Sequence, residues 1–550
     1  MNTHSPSAAP SGASAVAAAE HHTEKLNTRA AGTVGLYVLC SRILGVAREQ
    51  VFAALFGGGG LMDAFTIAFR IPNLLRDLFA EGALSTAFVT TFSKTIALEG
   101  DQAAWRLANK IATLATIVLS AITVAGVLFA PWLVAVLAPG FVGAKAVLTV
   151  HLTRIMFPFI LLVSLAALTM GMLNARNVFG VPAMASSFFN LGSIIGGVSI
   201  GWWLDPTFGP HALLGLAVGT LIGGALQLTV QLPAVRRIGY VFRPDFLWRD
   251  AGVSAILRLM GPSVIAASTT QVNVLVNSIF ASKLGNGPTF WLSIAFRLMQ
   301  LPLGLFGVAL GTVALPLLAR MAAIGNTAAF RSELARGMRL AFLLTIPATV
   351  GLILLAEPII SVLYQHGKFT AYETAQAAGA LRFYALGLCG YAALKVLVNA
   401  FYAVDRRKTP MVVSFAAVGV NLLLNWIFTV SLGWGHRGLA FSTACVATTN
   451  FLILYFLMRH HLGRLESRTM LSLLVKLAVA STALALVCWA GEHFLLAGWA
   501  TERFWLKLPA LLAVIVAGCA VFFGCALTLG ISELNDIAAA VRRRLARLAR

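Results

Sequence analysis

Ten cations stand inside long apolar runs of this chain: Arg42, Arg48, Arg70, Arg76, Arg154, Arg258, Arg297, Arg382, Lys395 and Lys476. Only five acids stand with them, namely Glu49, Asp63, Asp77, Glu81 and Glu357. A charged side chain at the centre of a bilayer costs about 2.5–3.5 kcal/mol on the mildest scale, so each of these groups needs a partner, water or a purpose. The excess of guanidinium over carboxylate implies a positively charged cavity. Guanidinium presents a planar fork that matches phosphate oxygens two at a time, so the chemistry expected is anion recognition, most simply of a phosphate or diphosphate. Arg42, Arg48, Arg76 and Arg297 are the expected ligands. Arg154, Arg258, Arg382, Lys395 and Lys476 come singly and read as internal bridges or as side chains snorkelling to headgroups.

The elements carrying these groups must be helices. At 100° per residue, Asp63, Arg70 and Asp77 fall within about 40° on one face, with Glu81 one turn beyond. Pro72 interrupts that face by removing a backbone donor and bending the helix, and Asn73 beside it offers polar atoms to the opened turn. Arg42 and Glu49 are seven residues apart and share a face, so a pair between them is plausible, and Gly45 allows close approach there.

Composition sets the class. Of 550 residues, 59% are hydrophobic and 11% charged, with a mean hydropathy of +0.85, which excludes a soluble enzyme. A bilayer core about 30 Å thick takes roughly 20 apolar helical residues per crossing, and fourteen runs reach that length. They are continuous rather than alternating, which excludes a transmembrane barrel. The fold class is thus an all-α polytopic membrane protein with 14 transmembrane helices.

The net charge of +21 would suggest nucleic acid in a soluble chain; here it follows from loops. One side of the membrane collects 25 loop and tail cations, and the other holds six: Lys145, Lys283, Lys368, Arg437, Arg503 and Lys507. By the positive-inside rule both termini are cytoplasmic. Cys40, Cys389, Cys445, Cys488, Cys519 and Cys525 lie in apolar stretches without ligand spacing and read as small hydrophobes. The Ala/Ser-rich start lacks the apolar core of a signal peptide. No phosphate-cradling G-x-x-x-x-G-K-[ST] pattern occurs, and the histidines lack metal spacing. No cofactor is expected, and the membrane potential or an ion gradient would supply the driving force.

Internal repetition orders the spans. Ile67-Ala68-Phe69-Arg70 recurs as Ile294-Ala295-Phe296-Arg297, and Ala166-Ala167-Leu168 with Asn174, Ala175 and Pro182 recurs as Ala392-Ala393-Leu394 with Asn399, Ala400 and Pro410. The near-constant offsets imply a duplicated six-helix unit, the parallel-repeat plan of alternating-access transporters. The expected domains are a disordered cytoplasmic tail at 1–28, an N-lobe of spans 1 to 6 at 29–240, and a C-lobe of spans 7 to 12 at 250–461. Spans 13 and 14 follow at 468–530, then a basic cytoplasmic tail at 531–550.

The stretch Ser41-Arg42-Ile43-Leu44-Gly45-Val46-Ala47-Arg48, then Asp63-Ala64-Phe65, then Ile71-Pro72-Asn73-Leu74-Leu75-Arg76-Asp77-Leu78-Phe79-Ala80-Glu81-Gly82-Ala83, resembles the MurJ (MviN) lipid II flippases of the MOP exporter superfamily. The resemblance continues through Phe296-Arg297-Leu298-Met299, Gly367-Lys368-Phe369-Thr370 and Lys408-Thr409-Pro410, and covers roughly residues 29 to 530. It implies two six-helix lobes around a central cavity, with the last helix pair forming a groove for a polyprenyl tail. It also implies that Arg42, Arg48 and Arg297 match cavity arginines that engage the diphosphate, and that Asp63 and Arg76 match other charged positions needed for transport. Gln300 stands where some relatives carry Glu, and span 7 lacks the Asp of a sodium site seen in others.

The resulting expectation is a monomeric lipid II flippase of the bacterial cytoplasmic (inner) membrane that serves cell wall synthesis. Asp63 and Glu81 would exchange partners with the arginines as the lobes rock, and Gln300 would complete the polar wall. The alternatives are a flippase for another polyprenyl-linked saccharide and a MATE-like cation-coupled drug exporter, whose cavity should be poor in arginine. A membrane glycosyltransferase would need catalytic acids and larger loops.

Overall fold

The computed structural model describes residues 28–77, 84–463, 465–496 and 504–534. The described residues are helical throughout the regions where the sequence marks spans, and contain no strand. Nine described helices are long and apolar enough to cross a membrane, and a bent pair makes a tenth candidate. The chain is therefore a multi-pass helical membrane protein. The 1–28 tail lies outside the described residues except for Thr28, as do residues 535–550 and Glu81.

Breaks in the helices fall at identifiable residues. Span 2 is described over Gly60–Arg76 and Ser85–Glu99, and residues 78–83 between them lie outside the described residues. Span 4 divides into Gly143–Met156 and Phe159–Ala175 on either side of Phe157 and Pro158, and Pro cannot donate the helical hydrogen bond. Span 10 bends by 40° between Ala371–Leu386 and Leu388–Ala403. Gly387 sits at that bend, where a methyl group would meet Ala444 Cα at 2.8 Å, so close helix packing requires its bare backbone. Caps mark starts. Asp250 accepts from Gly252 and Val253 at the head of span 7 (Ala251–Ser282), and Thr370 with Glu373 closes a capping box at the head of span 10.

Packing follows side-chain size. Span 5 (Gly180–Leu204) and the main helix of span 6 (Ala212–Thr229) approach through small residues, with Gly215 against Gly201 and Gly219 against Gly197 at backbone contact. Without side chains between them, the backbones gain dispersion contacts that lipid cannot replace. The largest buried cluster joins Phe52, Phe56 and Phe65 of spans 1 (Thr28–Phe56) and 2 to Trp291 and Met299 of span 8 (Pro288–Ala323), and on to Tyr364.

Spans 13 (Ser467–Ala490) and 14 (Phe504–Thr528) pack on each other and on span 9 (Thr327–Leu354), burying Leu477, Leu484, Cys488 and Phe522 with Leu343 and Val362. One polar anchor fixes this pair. Arg339 of span 9 is 8% exposed, donates to Glu466 at 2.6 Å, and pairs with Glu533. The sequence reading assigns residues 531–550 to a tail, yet Ile531, Glu533 and Leu534 are buried. The start of that segment belongs to the helix pair, because Arg339 gives the Glu533 carboxylate a buried partner. Removing one member of a buried ion pair costs about 3–5 kcal/mol, whereas apolar replacement of all members is often neutral. Arg339→Met is therefore expected to lower the unfolding temperature in detergent sharply, and the triple change with Glu466→Leu and Glu533→Leu to recover most of it.

Candidate substrate cavity

One end of the bundle is closed where the turn at Gly57–Gly60 meets the second half of the chain. Gly57 adopts φ of +75°, and Gly58 lies so close to Phe369 that a methyl group there would meet the ring at 2.7 Å. Gly58 N donates to Glu373 at 2.8 Å, Lys368 N donates to Ala54 O at 2.8 Å, and Lys368 Nζ donates to Thr207 O at 2.6 Å. Asp63 sits at the centre of this contact with no solvent exposure. Its carboxylate pairs with Lys145 at 2.9 Å and accepts from Gly287 N at 2.6 Å and Phe290 N at 2.9 Å. The N-terminus of span 8 thus donates its otherwise unpaired amides to Asp63, and the helix dipole adds to the attraction. Lys145 also donates to Asn286 at 3.0 Å.

Deeper in the bundle lie two chambers with a common wall. The first, about 460 Å³, is lined by Arg42, Arg48, Arg76 and Arg297 with Asn73 and Asn190. The second, about 660 Å³, is lined by Arg70, Arg297, Lys395, Asn277, Tyr384 and Tyr391, among others. Arg297, Gln300 and Gly304 face both chambers. Among the described residues no carboxylate lines either one.

The acids stand behind this wall. Glu49 pairs with Arg297 at 2.6 Å and accepts from the Tyr364 hydroxyl at 3.4 Å; Asp77 pairs with Arg76 at 2.8 Å and accepts from Gln271 at 3.3 Å. Arg48 is different. It is 9% exposed, has no ion pair among the described residues, and lies over the rings of Phe189 at 5.1 Å and Phe69 at 5.9 Å. Aromatic faces offset part of the desolvation of a guanidinium without neutralising it, so its charge remains available to an anion. Arg42 is exposed, again with no ion pair among the described residues, and its guanidinium crowds Gly304.

The structure thus brings Arg42, Arg48, Arg76, Arg297 and Gln300 to one cavity wall. Asp63 is the exception: it lines neither chamber and belongs to the closed end, because Lys145 and the amides of span 8 hold it there. The shared face of Asp63, Arg70 and Asp77 forms no internal pairs. Arg70 instead donates to Ser278 at 2.5 Å. Glu49 pairs with Arg297 rather than with Arg42 on its own helix. Two cavity cations escaped the sequence reading. Lys395, which the sequence gives as a bridging or snorkelling side chain, reaches the chamber wall, and so does Arg70, which stands outside the expected ligands. The repeat carried the signal for Arg70, since Arg70 and Arg297 close the same tetrapeptide. Asn273 Oδ1 and Thr289 Oγ1, on the larger chamber, are buried without partners and offer neutral hydrogen-bonding capacity.

A helical bundle closed at one end around a cationic cavity that no carboxylate lines among the described residues defines a membrane transporter for an anionic substrate. The family model described as "Lipid II flippase MurJ" matches residues 52–509. The chain is 34% identical over 512 residues to the "Lipid II flippase MurJ" of Burkholderia cenocepacia, covering 91% of this chain and 97% of that protein. The chain belongs to the MurJ lipid II flippase family. Among solved structures, its fold is similar to "Lipid II flippase MurJ, inward closed conformation", with a TM-score of 0.72, 24% identity, and coverage of 90% of this chain and 99% of that one. It is also similar to an inward-facing multidrug resistance MATE family transporter of the MOP superfamily, with a TM-score of 0.66, 14% identity, and coverage of 78% and 96%.

Glu49 competes with any anion for Arg297. Glu49→Gln is expected to tighten binding of a short-chain prenyl diphosphate at least threefold, read by calorimetry in detergent, and to slow its dissociation. Unchanged affinity would remove Glu49 from that competition.

Proposed function

We propose that the chain moves lipid II, the undecaprenyl-diphosphate-linked peptidoglycan precursor, from the inner to the outer leaflet of the bacterial cytoplasmic membrane by alternating access, for cell wall synthesis. The observation that carries this reading is the cavity wall, on which Arg48, without an ion pair among the described residues, lies over two aromatic rings beside Arg42, Arg76 and Arg297. A substrate with two adjacent phosphates supplies what that wall lacks. A cationic drug would meet repulsion there.

The loop charges support cytoplasmic termini and an outward Gly57–Gly60 turn, and on that reading the closed end is the outward one. The head then enters from the cytoplasmic leaflet while its prenyl tail stays in hydrocarbon along spans 13 and 14, which Arg339 holds against span 9. Arg42, Arg48 and Arg297 replace water around the diphosphate. As Arg297 turns to the phosphates, Glu49 is released toward Tyr364, and after the head departs Glu49 takes Arg297 back. Glu49 thus fills the partner-exchange role expected of Asp63. Asp63 acts instead in the outward seal, where its bonds to Lys145 and span 8 must break before the head can leave.

A diphosphate carrying about −2 moves outward down an inside-negative potential, worth roughly 2.3 kcal/mol per charge per 100 mV. The potential, or an ion gradient acting with it, would then bias the direction.

Reconstitution in vesicles with a leaflet-resolved assay of labelled lipid II tests the reading. The unmodified chain should flip it, and Arg48→Ala should abolish flipping while expression, insertion and unfolding temperature stay near normal. Flipping by Arg48→Ala at the normal rate would remove the central contact. Asp63→Asn is expected to weaken the seal, so a cysteine placed at Gly60 should react faster with a membrane-impermeant thiol reagent added outside.

A further inference from the structure

Another pocket, sharing no lining residue with the two chambers, lies where span 6 runs into the segment linking the two halves of the chain. It holds about 380 Å³ between Ala112 of span 3 (Asp101–Leu128), Leu165 and Leu168 of span 4, Leu228 of span 6, and Arg236 and Tyr240. Its walls are apolar or self-satisfied: Thr116 and Thr169 donate to Ala112 O and Ala166 O on their own helices. Tyr240 is 6% exposed, and its hydroxyl is buried with no hydrogen-bond partner. A buried hydroxyl left unpaired costs about 1–3 kcal/mol, so the pocket has an unmet demand for a polar ligand atom.

The linking segment carries the matching charge. Residues 240–250 run without helix and are pinned to span 3: Asn109 accepts from Arg243 N at 3.0 Å, Thr113 accepts from Asp245 N at 3.0 Å, and Lys110 pairs with Asp250 at 2.7 Å. Both acids of the strap are thereby engaged, since Asp245 also accepts from Leu247 N and Asp250 caps span 7. Arg236, Arg237, Arg243 and Arg249 are exposed and have no ion pair among the described residues. Val241, Phe242, Phe246 and Leu247 are exposed between them, Leu247 at 74%. Alternating basic and large apolar side chains next to a membrane span fit the zone where anionic headgroups meet acyl chains.

We propose that this pocket binds one anionic phospholipid, with its phosphate between the Arg236 guanidinium and the Tyr240 hydroxyl and one acyl chain in the groove against Leu165, Leu168 and Leu228. The lipid fastens the strap to the membrane and so becomes part of the joint between the two halves. The site is separate from the transport cavity. Unbalanced arginines select an anionic head over a zwitterionic one, and the apolar groove selects a lipid over free phosphate.

The full chain in nanodiscs of mixed phosphatidylglycerol and phosphatidylcholine, transferred to detergent and weighed intact by native mass spectrometry, tests this. One phosphatidylglycerol should stay bound in preference to phosphatidylcholine. Tyr240→Phe, which keeps the ring packed on Trp105, and Arg236→Gln should each cut that retention at least fivefold. Leu165→Trp, which fills the groove, should do the same, with the unfolding temperature in pure phosphatidylcholine not lowered for Tyr240→Phe, which removes an unpaired hydroxyl. Equal retention of the two lipids, undiminished phosphatidylglycerol in these variants, or displacement of the lipid by millimolar inorganic phosphate would each overturn the proposal. So would displacement by a prenyl diphosphate at the concentration that fills the transport cavity.

Discussion

A guanidinium group taken out of water and, among the described residues, given no carboxylate is the constraint around which this molecule is arranged. Desolvating an ion costs several kcal/mol even after the protein relaxes, and Arg48 offsets that cost with the faces of Phe69 and Phe189 rather than with a counter-charge. The neighbouring acids are placed so that the charge survives. Glu49 approaches Arg297 from behind, and Asp77 holds Arg76. The cavity is therefore cationic by construction, and a polyanion is the ligand that completes it.

The same economy of charge explains the closed end. Asp63 is an acid without solvent, and three donors meet it there: Lys145 and the amides of Gly287 and Phe290, with Asn286 accepting from the same lysine and orienting it. Because those donors come from the other half of the chain and from the start of span 4, the carboxylate is satisfied only when the two halves meet. Separation at that end would strand it. A buried acid of this kind makes closure cooperative, since its bonds form together or not at all. The buried cluster of Arg339, Glu466 and Glu533 does for the last helix pair what Asp63 does for the closed end, but without an evident reason to open.

Helix packing supplies the rigidity that lets charge act in this way. The glycine-lined contact of spans 5 and 6 and the aromatic cluster joining spans 1, 2 and 8 fix backbones whose side chains then point into the cavity. Kinks arise where the sequence allows them: at Pro158 the missing amide donor interrupts the helix, and at Gly387 the bare backbone lets Ala444 approach.

Much of this was legible in the order of residues. Hydrophobic run length fixes the class, because a bilayer admits only backbones that satisfy themselves. The run of arginines without matching acids fixes the sign of the cavity, and the repeated tetrapeptide pairs Arg70 with Arg297. Pairing was not legible. Asp63 and Glu49 both read as acids able to serve the cavity arginines, and only the tertiary fold sends one to the closed end and the other behind Arg297. Lys395 reads as a bridging or snorkelling cation and Arg339 carries no signal in the pattern, while packing puts one on the chamber wall and the other in a buried clamp. The reason is physical: a periodic pattern states which face of a helix a charge occupies, but its partner is chosen by which helix lies opposite, and that is settled by contacts between residues hundreds of positions apart.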